Sequence, residues 1–361
     1  MKIGILGSRG IPNYYGGFEQ FLSYLAPGLA ELGWEVWVYN SHNHPYRKSS
    51  WKGVNLIYCH DPEDRLGTAG QFVYDLNCIH DSQNRDFDIL FQTGYTSNSL
   101  WYRWLPEGPE VVTNMDGLEW KRSKYSGVVR RFLKYAEKLA VRSSDILVAD
   151  SEVIRDYLAD EYGERAEYIP YGAEEFDDPD PAVLEKFGLT PRGYYLVIAR
   201  LQPDNHISEI IEGVKSSVSD KPLIIIGDTG KKYGRMLVKN HASDKVRFHG
   251  VVFDHKTLNN LRHYASLYFH GHSVGGTNPS LLEAMAAGAL ICAHSNPFNR
   301  TILRENAYYF TSSGDIPGII HLAAEKQHHD HIQGNLDLIC KNYRWKDIIK
   351  SYHRLFLRML G

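Results

Sequence analysis

Two series of short β-rich runs, with amphipathic helical segments between them, constrain the fold of this chain most strongly. The first series begins at Ile3–Leu6 and ends at Tyr168–Ile169, and the second begins at Tyr195–Ile198 and ends at Tyr308–Phe310. Strands that alternate with helices predict parallel sheets joined by crossover helices. We therefore expect an α/β fold with two Rossmann-like, doubly wound domains that face each other across a cleft.

An acidic segment with three prolines separates the two series and predicts a linker over residues 173–193. The expected domains then cover residues 1–172 and 194–342. Residues 343–361 have helical periodicity and predict one more helix. The sequence does not show what this helix packs against, and the first domain is the candidate.

Composition excludes several classes of protein. The chain has 361 residues, is 43% hydrophobic and 23% charged, and carries a net charge of −3, which fits a globular protein without a nucleic-acid partner. Its four cysteines are widely spaced, so neither a zinc site nor a disulfide framework is indicated. The opening MKIGILGSRG is too soon broken by glycine for a signal peptide, and no run approaches the roughly 20 apolar residues of a membrane span. A cytoplasmic protein is the expectation.

The segment GHSVGGTNPSLLEAMAAG, residues 271–288, gives the clearest functional signal. Asn278 is suited to cap a helix, Pro279 to occupy its first turn and Gly288 to end it. Backbone N–H groups and the helix dipole at such a start attract a diphosphate. Glu283, one turn further on, is placed to accept a hydrogen bond from a sugar hydroxyl attached to that diphosphate. A nucleotide-sugar site and an ordinary capped core helix both fit this segment.

A second candidate anion site follows the first predicted strand, where Gly16 and Gly17 precede a long helical pattern. Adjacent glycines let the backbone approach a ligand closely. Glu19 either binds an acceptor hydroxyl or favours the helix start by its charge. The earlier glycines lack dinucleotide spacing, and the second strand ends at Asn40 where an acidic residue would bind ribose, which disfavours an NAD enzyme. Pro27 predicts a kink or break in this helix.

Four blocks, in order, resemble the GT-B-fold retaining glycosyltransferases that use nucleotide sugars: GIPNYYGGFEQFLSYLAPGLAELGWEV, TNMDGLEWKRSKY, IARLQPDNHISEIIEGV and GGTNPSLLEAMAAG. More narrowly, the chain is similar to the bacterial rhamnosyltransferases of polysaccharide assembly. The resemblance covers nearly the whole chain. It implies a donor held mainly by the second domain, an acceptor held mainly by the first, and a peripheral enzyme on the inner face of the cell membrane.

Two positions depart from the broader family. Glu283 matches the second of its two donor-block glutamates, but Gly275 occupies the first. Arg200 matches the arginine of the block that opens the second domain, but Asn205 occupies the position of the lysine that usually follows. Because of these two departures, the resemblance does not fix which residues contact the diphosphate and the sugar.

Glycosyl transfer builds negative charge on the departing diphosphate, so preorganised cations and N–H groups are required. Arg200 is the candidate cation, because a guanidinium binds phosphate bidentately. Lys231 and Lys232 either add positive charge or form a solvated turn. The donor-site candidates are Gly16, Gly17, Arg200, Asn205, Lys231, Gly276, Thr277, Asn278, Pro279, Ser280, Leu282 and Glu283.

Asp116 follows the predicted strand Val111–Thr113 and is the candidate to orient the acceptor hydroxyl or to stabilise positive character at the sugar carbon, although Asp-Gly is also a common turn. Glu19 and Glu119 are further acceptor-site candidates. We expect Asp116, Arg200 and Glu283 to be the catalytic residues. No cofactor is expected, and metal independence is predicted because no acidic pair is clearly spaced to hold Mg²⁺.

Residues 120–142 are strongly basic with aromatic residues interleaved, a composition that suits an anionic membrane surface, a lipid diphosphate or a solvated helix face. The basic residues are Lys121, Arg122, Lys124, Arg130, Arg131, Lys134, Lys138 and Arg142. His328, His329 and His331 are expected on a surface loop rather than at a metal.

The leading interpretation is a transferase that moves L-rhamnose from dTDP-rhamnose onto a lipid-linked saccharide, with retention implied by the resemblance alone. Transfer from another UDP- or GDP-sugar and non-catalytic binding of a nucleotide sugar remain the alternatives. A sugar-nucleotide epimerase shares the fold but has a different set of motifs.

Overall fold

The computed structural model describes residues 1–14, 16–122, 125–325 and 328–361. Its contacts divide the chain into two compact units. Unit 1 is made of Met1–Lys121, Tyr125–Tyr171 and Trp345–Gly361, and unit 2 of Gly172–Arg344 with a short segment that begins at Arg122. Each unit has its own parallel sheet with helices, so the predicted α/β fold with two Rossmann-like domains is confirmed.

The sheet of unit 1 has the strand order β3-β4-β2-β1-β5-β6-β7-β8. Its strands are β1 Lys2–Leu6, β2 Glu35–Ser41, β3 Ser50–Trp51, β4 Val54–Cys59, β5 Ile89–Gln92, β6 Glu110–Asn114, β7 Ile146–Ala149 and β8 Glu167–Tyr168. Neighbouring strands run parallel except β3 and β4. The central strands β1, β5 and β6 are almost completely buried, as expected where crossover helices cover a parallel sheet.

Helices connect these strands. They are α1 Gly17–Glu31, α2 Glu63–Leu66, α3 Thr68–Ser82, α4 Gly127–Ser143 and α5 Glu152–Tyr162, with short 3-10 helices at Asn98–Trp104 and Glu119–Lys121. Ser126 and Ser151 cap α4 and α5 with their side chains. The loops that follow β1, β5 and β6 meet at one edge of the sheet, because these neighbouring strands are parallel.

The sheet of unit 2 has the order β11-β10-β9-β12-β13-β14, with every neighbouring pair parallel. Its strands are β9 Tyr195–Ile198, β10 Leu223–Ile226, β11 Val246–Phe248, β12 Leu267–His270, β13 Ile291–His294 and β14 Tyr308–Phe310. Branched and aromatic side chains of the central strands form the core, among them Val197, Leu223, Ile225 and Phe269. Because β9 and β12 are parallel neighbours, the loops that follow them leave the sheet side by side.

The helices of unit 2 are α6 Ile207–Ser216, α7 Lys232–His241, α8 His255–Tyr264, α9 Pro279–Ala286, α10 Pro297–Leu303, α11 Ile316–Glu325 and α12 His329–Asn342. Short 3-10 helices cover Pro181–Phe187, Pro203–Asn205 and Ser313–Asp315. Residues 173–193, expected as a linker, lie in unit 2 and include the first of these 3-10 helices.

The last helix, α13 Trp345–Met359, belongs to unit 1 and packs on α1. The Trp345 ring stacks on Tyr24 with centroids 4.6 Å apart, and Ile349 packs against Gly28, where a Cβ would lie only 2.5 Å from Ile349 Cδ1. An alanine at position 28 would press on the Ile349 side chain, so Gly28 favours the close approach of the two helices.

Two local predictions are wrong in part. Of the kink or break predicted at Pro27, the break is absent, because α1 runs as one helix from Gly17 to Glu31. Its packing on α13 offsets the single hydrogen bond that proline removes. The surface loop expected for the histidines near residue 330 is also wrong in part, because His329 and His331 lie in α12. Among the described residues, none of the helices combines the length and the apolarity needed to cross a bilayer.

Candidate functional site

The start of α9 has the capping geometry that the sequence predicts. The Oδ1 atom of Asn278 accepts a hydrogen bond from Ser280 N at 2.9 Å, and Pro279 is the first helical residue. Gly288 ends the helix with φ +66°, a left-handed conformation that favours glycine. The amides of Leu281 and Leu282 donate to Asn278 O at 3.0 and 3.2 Å, so the first turn satisfies its own N–H groups.

The loop before α9 differs from the helix start in this respect. Among the described residues, Gly275 N and Gly276 N donate no hydrogen bond, and Gly275 has φ +145°. Two successive glycine amides that the protein does not engage are available to donate to phosphate oxygens. The loop, rather than the first helical turn, therefore carries the donors that an anion would use.

The loop that carries Arg200 is tied to this glycine-rich loop. Arg200 is exposed just beyond β9, and its carbonyl oxygen accepts a hydrogen bond from Asn205 Nδ2 at 2.6 Å. Asp204 O accepts bonds from Ser273 N at 3.1 Å and from Ser273 Oγ at 3.0 Å. A Cβ on Gly271 would lie 2.0 Å from Asn205 O, so only glycine permits this approach. Asn205 thus holds the loop and turns its amide to the backbone.

Four histidines line the ends of these strands in two stacked pairs. His206 and His294 stack with centroids 4.1 Å apart, and His270 and His272 with centroids 4.8 Å apart. Burial lowers the pKa of His270 to about 3 and the pKa of His294 to about 4, and it holds the pKa of His272 well below its usual value. These three rings are uncharged at neutral pH, so they add polarity and ring surface beside Arg200 without adding charge.

Glu283 has a partner that the sequence pattern does not reveal. Its Oε2 atom accepts a hydrogen bond from Nη2 of Arg262, a residue of α8 that is 1% exposed, while the Glu283 side chain is 15% exposed. The same guanidinium donates to Ser280 Oγ at 3.2 Å and to Asn259 Oδ1 at 2.8 Å. Arg262 therefore fixes the Glu283 carboxylate against the first turn of α9.

The remaining donor-site candidates of unit 2 are placed differently. Thr277 and Leu282 are buried. Lys231 is exposed before α7, with Nζ 3.9 Å from Asp228 Oδ2, as in a solvated turn, and Lys232 begins that helix. Arg200, Gly275–Asn278 and Glu283 are the candidates that follow two neighbouring strands of one sheet.

In unit 1, Glu19 supports the first glycine-rich loop from inside. Its carboxylate is buried, Oε1 accepts a hydrogen bond from Arg9 N at 2.8 Å, and burial raises its pKa. A Cβ on Gly16 would lie 2.1 Å from Glu19 Oε2, and Gly16 has φ +119°, so this position requires glycine twice over. The position beyond the Cα of Gly17, in contrast, is open space. Glu19 therefore shapes the loop with a buried carboxylate.

Asn40, at the position where a dinucleotide site would have an acidic residue, has a structural partner. Its Oδ1 accepts from Ile11 N at 3.1 Å, and its Nδ2 donates to Ile11 O at 2.8 Å. The side chain at the end of β2 is thus bound to the loop between β1 and α1.

Asp116 lies just beyond β6 and is partly exposed. Burial, followed by the charges of Asp116 and Asp150, raises the pKa of Tyr171, and the same two carboxylates act on Tyr352 of α13. The hydroxyls of Tyr171 and Tyr352 are buried without a hydrogen-bond partner among the described residues. Sequence reasoning found Asp116 but missed Asp150, Tyr171 and Tyr352, which come from distant segments.

The segment after Asp116 is held by Glu137, a buried residue of α4. Among the described residues, the four closest donors to its carboxylate are Tyr157 OH at 2.6 Å, Tyr162 OH at 2.7 Å, Trp120 Nε1 at 3.0 Å and Lys134 Nζ at 3.1 Å. The Tyr95 hydroxyl lies 3.2 Å from Gly117 O and 3.4 Å from Glu137 Oε2. Glu119, the other acceptor-site candidate, is 3.5 Å from the Tyr125 hydroxyl. We call Glu137 and its four donors the Glu137 cluster.

Two histidines of unit 1, His42 and His44, have structural partners. His42 Nδ1 accepts from Asp61 N at 2.8 Å, and His44 Nε2 lies 3.1 Å from Pro12 O. Within the described ranges, no three histidine, cysteine or acidic side chains come together in a group that could hold a metal ion.

Two family matches cover most of the chain. Residues 1–174 match a family described as a domain of unknown function, DUF1972. Residues 184–320 match the family described as glycosyl transferases group 1. The second match includes β9, α9 and the loops that carry Arg200 and Gly275.

Individual proteins give a consistent result. An uncharacterized glycosyltransferase of Methanocaldococcus jannaschii, MJ1069, is 22% identical, over 62% of this chain and 61% of its own length, so the match spans less than two thirds of that relative. The fold of sucrose-phosphate synthase from Thermosynechococcus elongatus matches with a TM-score of 0.83 at 13% identity, covering 99% of this chain and 98% of that one. Anabaena HepE, solved in complex with UDP and glucose, matches with a TM-score of 0.74 at 15% identity, covering 99% and 100%.

These matches show a GT-B fold and support a glycosyltransferase. They leave the donor, the acceptor and the stereochemistry to be proposed.

Proposed function

We propose that this protein transfers L-rhamnose from dTDP-rhamnose onto a lipid-linked saccharide during synthesis of a cell-surface polysaccharide, with retention at the anomeric carbon. The observation that carries the proposal is the linkage of two loops in unit 2, which brings Arg200 and the Gly275–Gly276 amides to the ends of neighbouring strands. The match of residues 184–320 supports glycosyl transfer, and the four sequence blocks support rhamnose.

The donor half needs groups that stabilise a departing diphosphate. The Arg200 guanidinium binds phosphate oxygens with its parallel N–H groups, and the amides of Gly275 and Gly276 donate to the same anion. Glu283, held by Arg262, accepts a hydroxyl of the donor. Because the rings of His270 and His294 beside Arg200 stay neutral, donor binding should change little between pH 6 and 8.

The acceptor half needs a group that orients a sugar hydroxyl. Asp116 is the proposed residue, with Glu119 three residues on. The Gly16–Gly17 loop, a donor-site candidate from the sequence, lies at the same edge of the unit 1 sheet. Glu19 contributes by fixing the backbone of that loop. A lipid-linked acceptor remains in its bilayer, so we place the enzyme at the inner face of the cell membrane.

We propose that transfer proceeds without a metal ion, since Arg200 and the loop amides supply the positive potential that the diphosphate needs. Retention rests on the resemblance to retaining transferases. No protein nucleophile is assigned.

A UDP-sugar donor is the second candidate, because the Anabaena structure of the same fold contains UDP and glucose. A non-catalytic nucleotide-sugar-binding protein is the third. It is favoured by Gly275, which brings no carboxylate to the loop, and by Asn205, whose amide is bonded to Arg200 O.

Calorimetric titration of the purified chain with dTDP, UDP, GDP and their common sugars, each with and without EDTA, tests the proposal. We expect the tightest binding for dTDP-rhamnose, unchanged by EDTA. Arg200→Ala should weaken binding at least tenfold, because a bidentate charge-assisted contact is lost. Arg247→Ala removes an exposed arginine of β11 and is the matched control.

Turnover then separates the alternatives. Release of dTDP that depends on an added lipid-linked saccharide supports the transferase. Preference for UDP-glucose would replace rhamnose in the proposal, and tight donor binding without turnover on any lipid-linked saccharide would favour the binding protein.

A further inference from the structure

The basic segment of residues 120–142 divides into an inward part and an outward part. Lys134 Nζ lies 3.1 Å from Glu137 and 2.9 Å from Glu161, and Trp120 also bonds to Glu137, so these two residues face the interior of unit 1. Arg122 is buried, and Lys124 lies outside the described residues. The inward part is engaged in contacts within the protein.

The outward part is a single stripe along α4. Its members recur at alternating intervals of three and four residues, which is the spacing of one helix face. They are Val128, Arg131, Tyr135, Lys138 and Arg142, and all are exposed. Val128 is 75% and Tyr135 is 55% exposed, unusually high for large apolar or aromatic side chains on one face.

The neighbouring elements extend this stripe. The half-buried ring of Phe132 packs on Phe72 of α3 with centroids 5.8 Å apart, and Trp101 Nε1 donates to Phe72 O at 2.9 Å. The 3-10 helix Asn98–Trp104 contacts both α3 and α4. It ends in Arg103, which is close enough to Tyr135 for electrostatic interaction, and in Trp104, which is 53% exposed.

We name this surface the α4 face and define it by Arg103, Trp104, Val128, Arg131, Tyr135, Lys138 and Arg142. Within the described part of the chain, Arg131, Lys138 and Arg142 form no ion pair, and Glu137, the acid of α4, is buried in the Glu137 cluster. The face therefore combines exposed apolar and aromatic side chains with positive charge that no acidic side chain of α4 neutralises.

We propose that the α4 face docks unit 1 on a bilayer of anionic phospholipid. Lipid headgroups attract its four basic side chains, while Val128, Tyr135 and Trp104 enter the interface between headgroups and acyl chains. Nucleic acid would use the charge but leave the apolar side chains uncovered, and the chain as a whole carries a net charge of −3. The inference goes beyond the proposed reaction, since vesicle binding needs neither donor nor acceptor.

Docking by this face has a consequence for the acceptor. The Glu137 cluster joins α4 to Trp120, which lies four residues beyond Asp116. A bilayer docked on α4 therefore brings a lipid-linked saccharide close to the segment that contains Asp116 and Trp120.

Flotation of the full chain with vesicles tests the proposal. We expect binding to equal parts of phosphatidylglycerol and phosphatidylethanolamine, little binding to phosphatidylcholine, and weakening with added salt. The triple variant Arg131→Gln/Lys138→Gln/Arg142→Gln should bind about a hundredfold more weakly, since each basic residue contributes a several-fold factor. Trp104→Ser/Val128→Ser should weaken binding without changing its salt dependence.

Controls in unit 2 remove comparable groups elsewhere. Lys215→Gln/Lys239→Gln/Arg247→Gln deletes three exposed charges, and Phe253→Ser deletes a ring that is 72% exposed. Both should bind vesicles like the wild type. Circular dichroism checks that every variant is folded, which is expected because the substitutions are on the surface.

Three results would overturn the proposal. One is unchanged vesicle binding by the triple variant, and another is equal binding of the wild type to neutral vesicles. The third is a concentration-dependent dimer in gel filtration that the same substitutions abolish, since the face would then bind a second copy. Transfer to a short water-soluble acceptor should be unaffected by the α4 substitutions, so a failed transferase assay and a failed docking assay remain distinguishable.

Discussion

The buried guanidinium of Arg262 on α8 holds the carboxylate of Glu283 on α9, which itself is only partly buried. The two residues are separated by one strand in the sequence, and their side chains meet behind the first turn of the helix that follows the glycine-rich loop. One carboxylate oxygen is bound to Arg262, while the other, Oε1, lies 3.8 Å from Nδ1 of the exposed His255. Glu283, which is predicted to bind the donor, is therefore held in place by a guanidinium that is almost completely buried.

Replacing Arg262 by methionine should therefore destabilise unit 2 by about 3 kcal/mol, because a poorly hydrated carboxylate loses its counter-ion. Donor binding should weaken as well, since Glu283 loses its fixed orientation. Urea unfolding measures the first effect, and calorimetry the second. In the double variant Arg262→Met/Glu283→Leu the loss should be smaller than the sum of the single losses, and simple additivity would contradict the pairing.

Substituting Gly271 by alanine should separate the two loops of the donor site. The new Cβ would lie 2.0 Å from Asn205 O, and a clash with backbone cannot be relieved by a side-chain rotation. We expect a loss of about 2 kcal/mol in stability and a marked loss of donor affinity.

The matched control is Gly318→Ala in α11, where a Cβ meets open space. Alanine is a better helix former than glycine, so this variant should gain about 0.5–1 kcal/mol and bind donor normally. Equal behaviour of the two variants in thermal unfolding and in calorimetry would refute the close approach of the loops.

The Glu137 cluster predicts a difference between two substitutions at one site. Glu137→Ala should cost about 3 kcal/mol, because the partly buried donors of Trp120, Tyr157 and Tyr162 lose a buried acceptor. Glu137→Gln keeps one acceptor oxygen and should cost less. Chemical unfolding compares the two, and Glu164→Ala, an exposed residue of the same unit, is the control that should have little effect.

Acceptor kinetics should respond to the same cluster, since Trp120 follows Asp116 by four residues. Trp120→Phe removes one hydrogen bond but keeps an aromatic ring. It should raise the KM for acceptor several-fold while the donor Kd stays constant. A change in donor Kd alone would show that the cluster does not position the acceptor side.

Asp75 of α3 gives unit 1 a pH-dependent stability. Its carboxylate is buried and accepts a hydrogen bond from Ser97, and burial raises its pKa to about 7 from the value of 3.8 expected in the unfolded chain. A raised acid pKa means that the folded state holds the proton more tightly, so this contribution is fully present below pH 4 and is lost as pH rises to about 7. The loss amounts to about 4 kcal/mol at most.

Asp75→Asn should remove this dependence, because an amide stays neutral and still accepts a bond from Ser97. Urea unfolding at pH 5, 6, 7 and 8 measures it against Asp64→Asn, an exposed control nearby. Parallel pH profiles for wild type and Asp75→Asn would contradict the raised pKa.

Local sequence signals predicted much of this architecture. The alternation of strands and helices indicated both parallel sheets, and Asn278, Pro279 and Gly288 marked the two ends of α9 because capping depends on neighbouring residues. Pro27 was misleading for the converse reason. Its local cost is outweighed by α13, which comes more than three hundred residues later.

The residues that sequence reasoning missed all act across long separations. Arg262 meets Glu283 only after β12 has joined the sheet, and Glu137 gathers donors from three other segments, those of Tyr95, Trp120 and α5. Asn205 looked like a missing cation, but its amide is bonded to Arg200 O, a contact that depends on the path of the loop. The basic residues near α4 could be counted from the sequence. Which of them face outward depended on the fold.

The docking of α13 on α1 constrains the order in which the two units fold during synthesis. Unit 2 is almost contiguous, whereas unit 1 needs residues 345–361, which leave the ribosome after the whole of unit 2. Until then the surface of α1 around Tyr24 and Gly28 has no cover, although most of unit 1 was made first. Domains generally fold in the order in which they are synthesised. Unit 1 departs from this order in its final step, because α1 stays uncovered until α13 has been made.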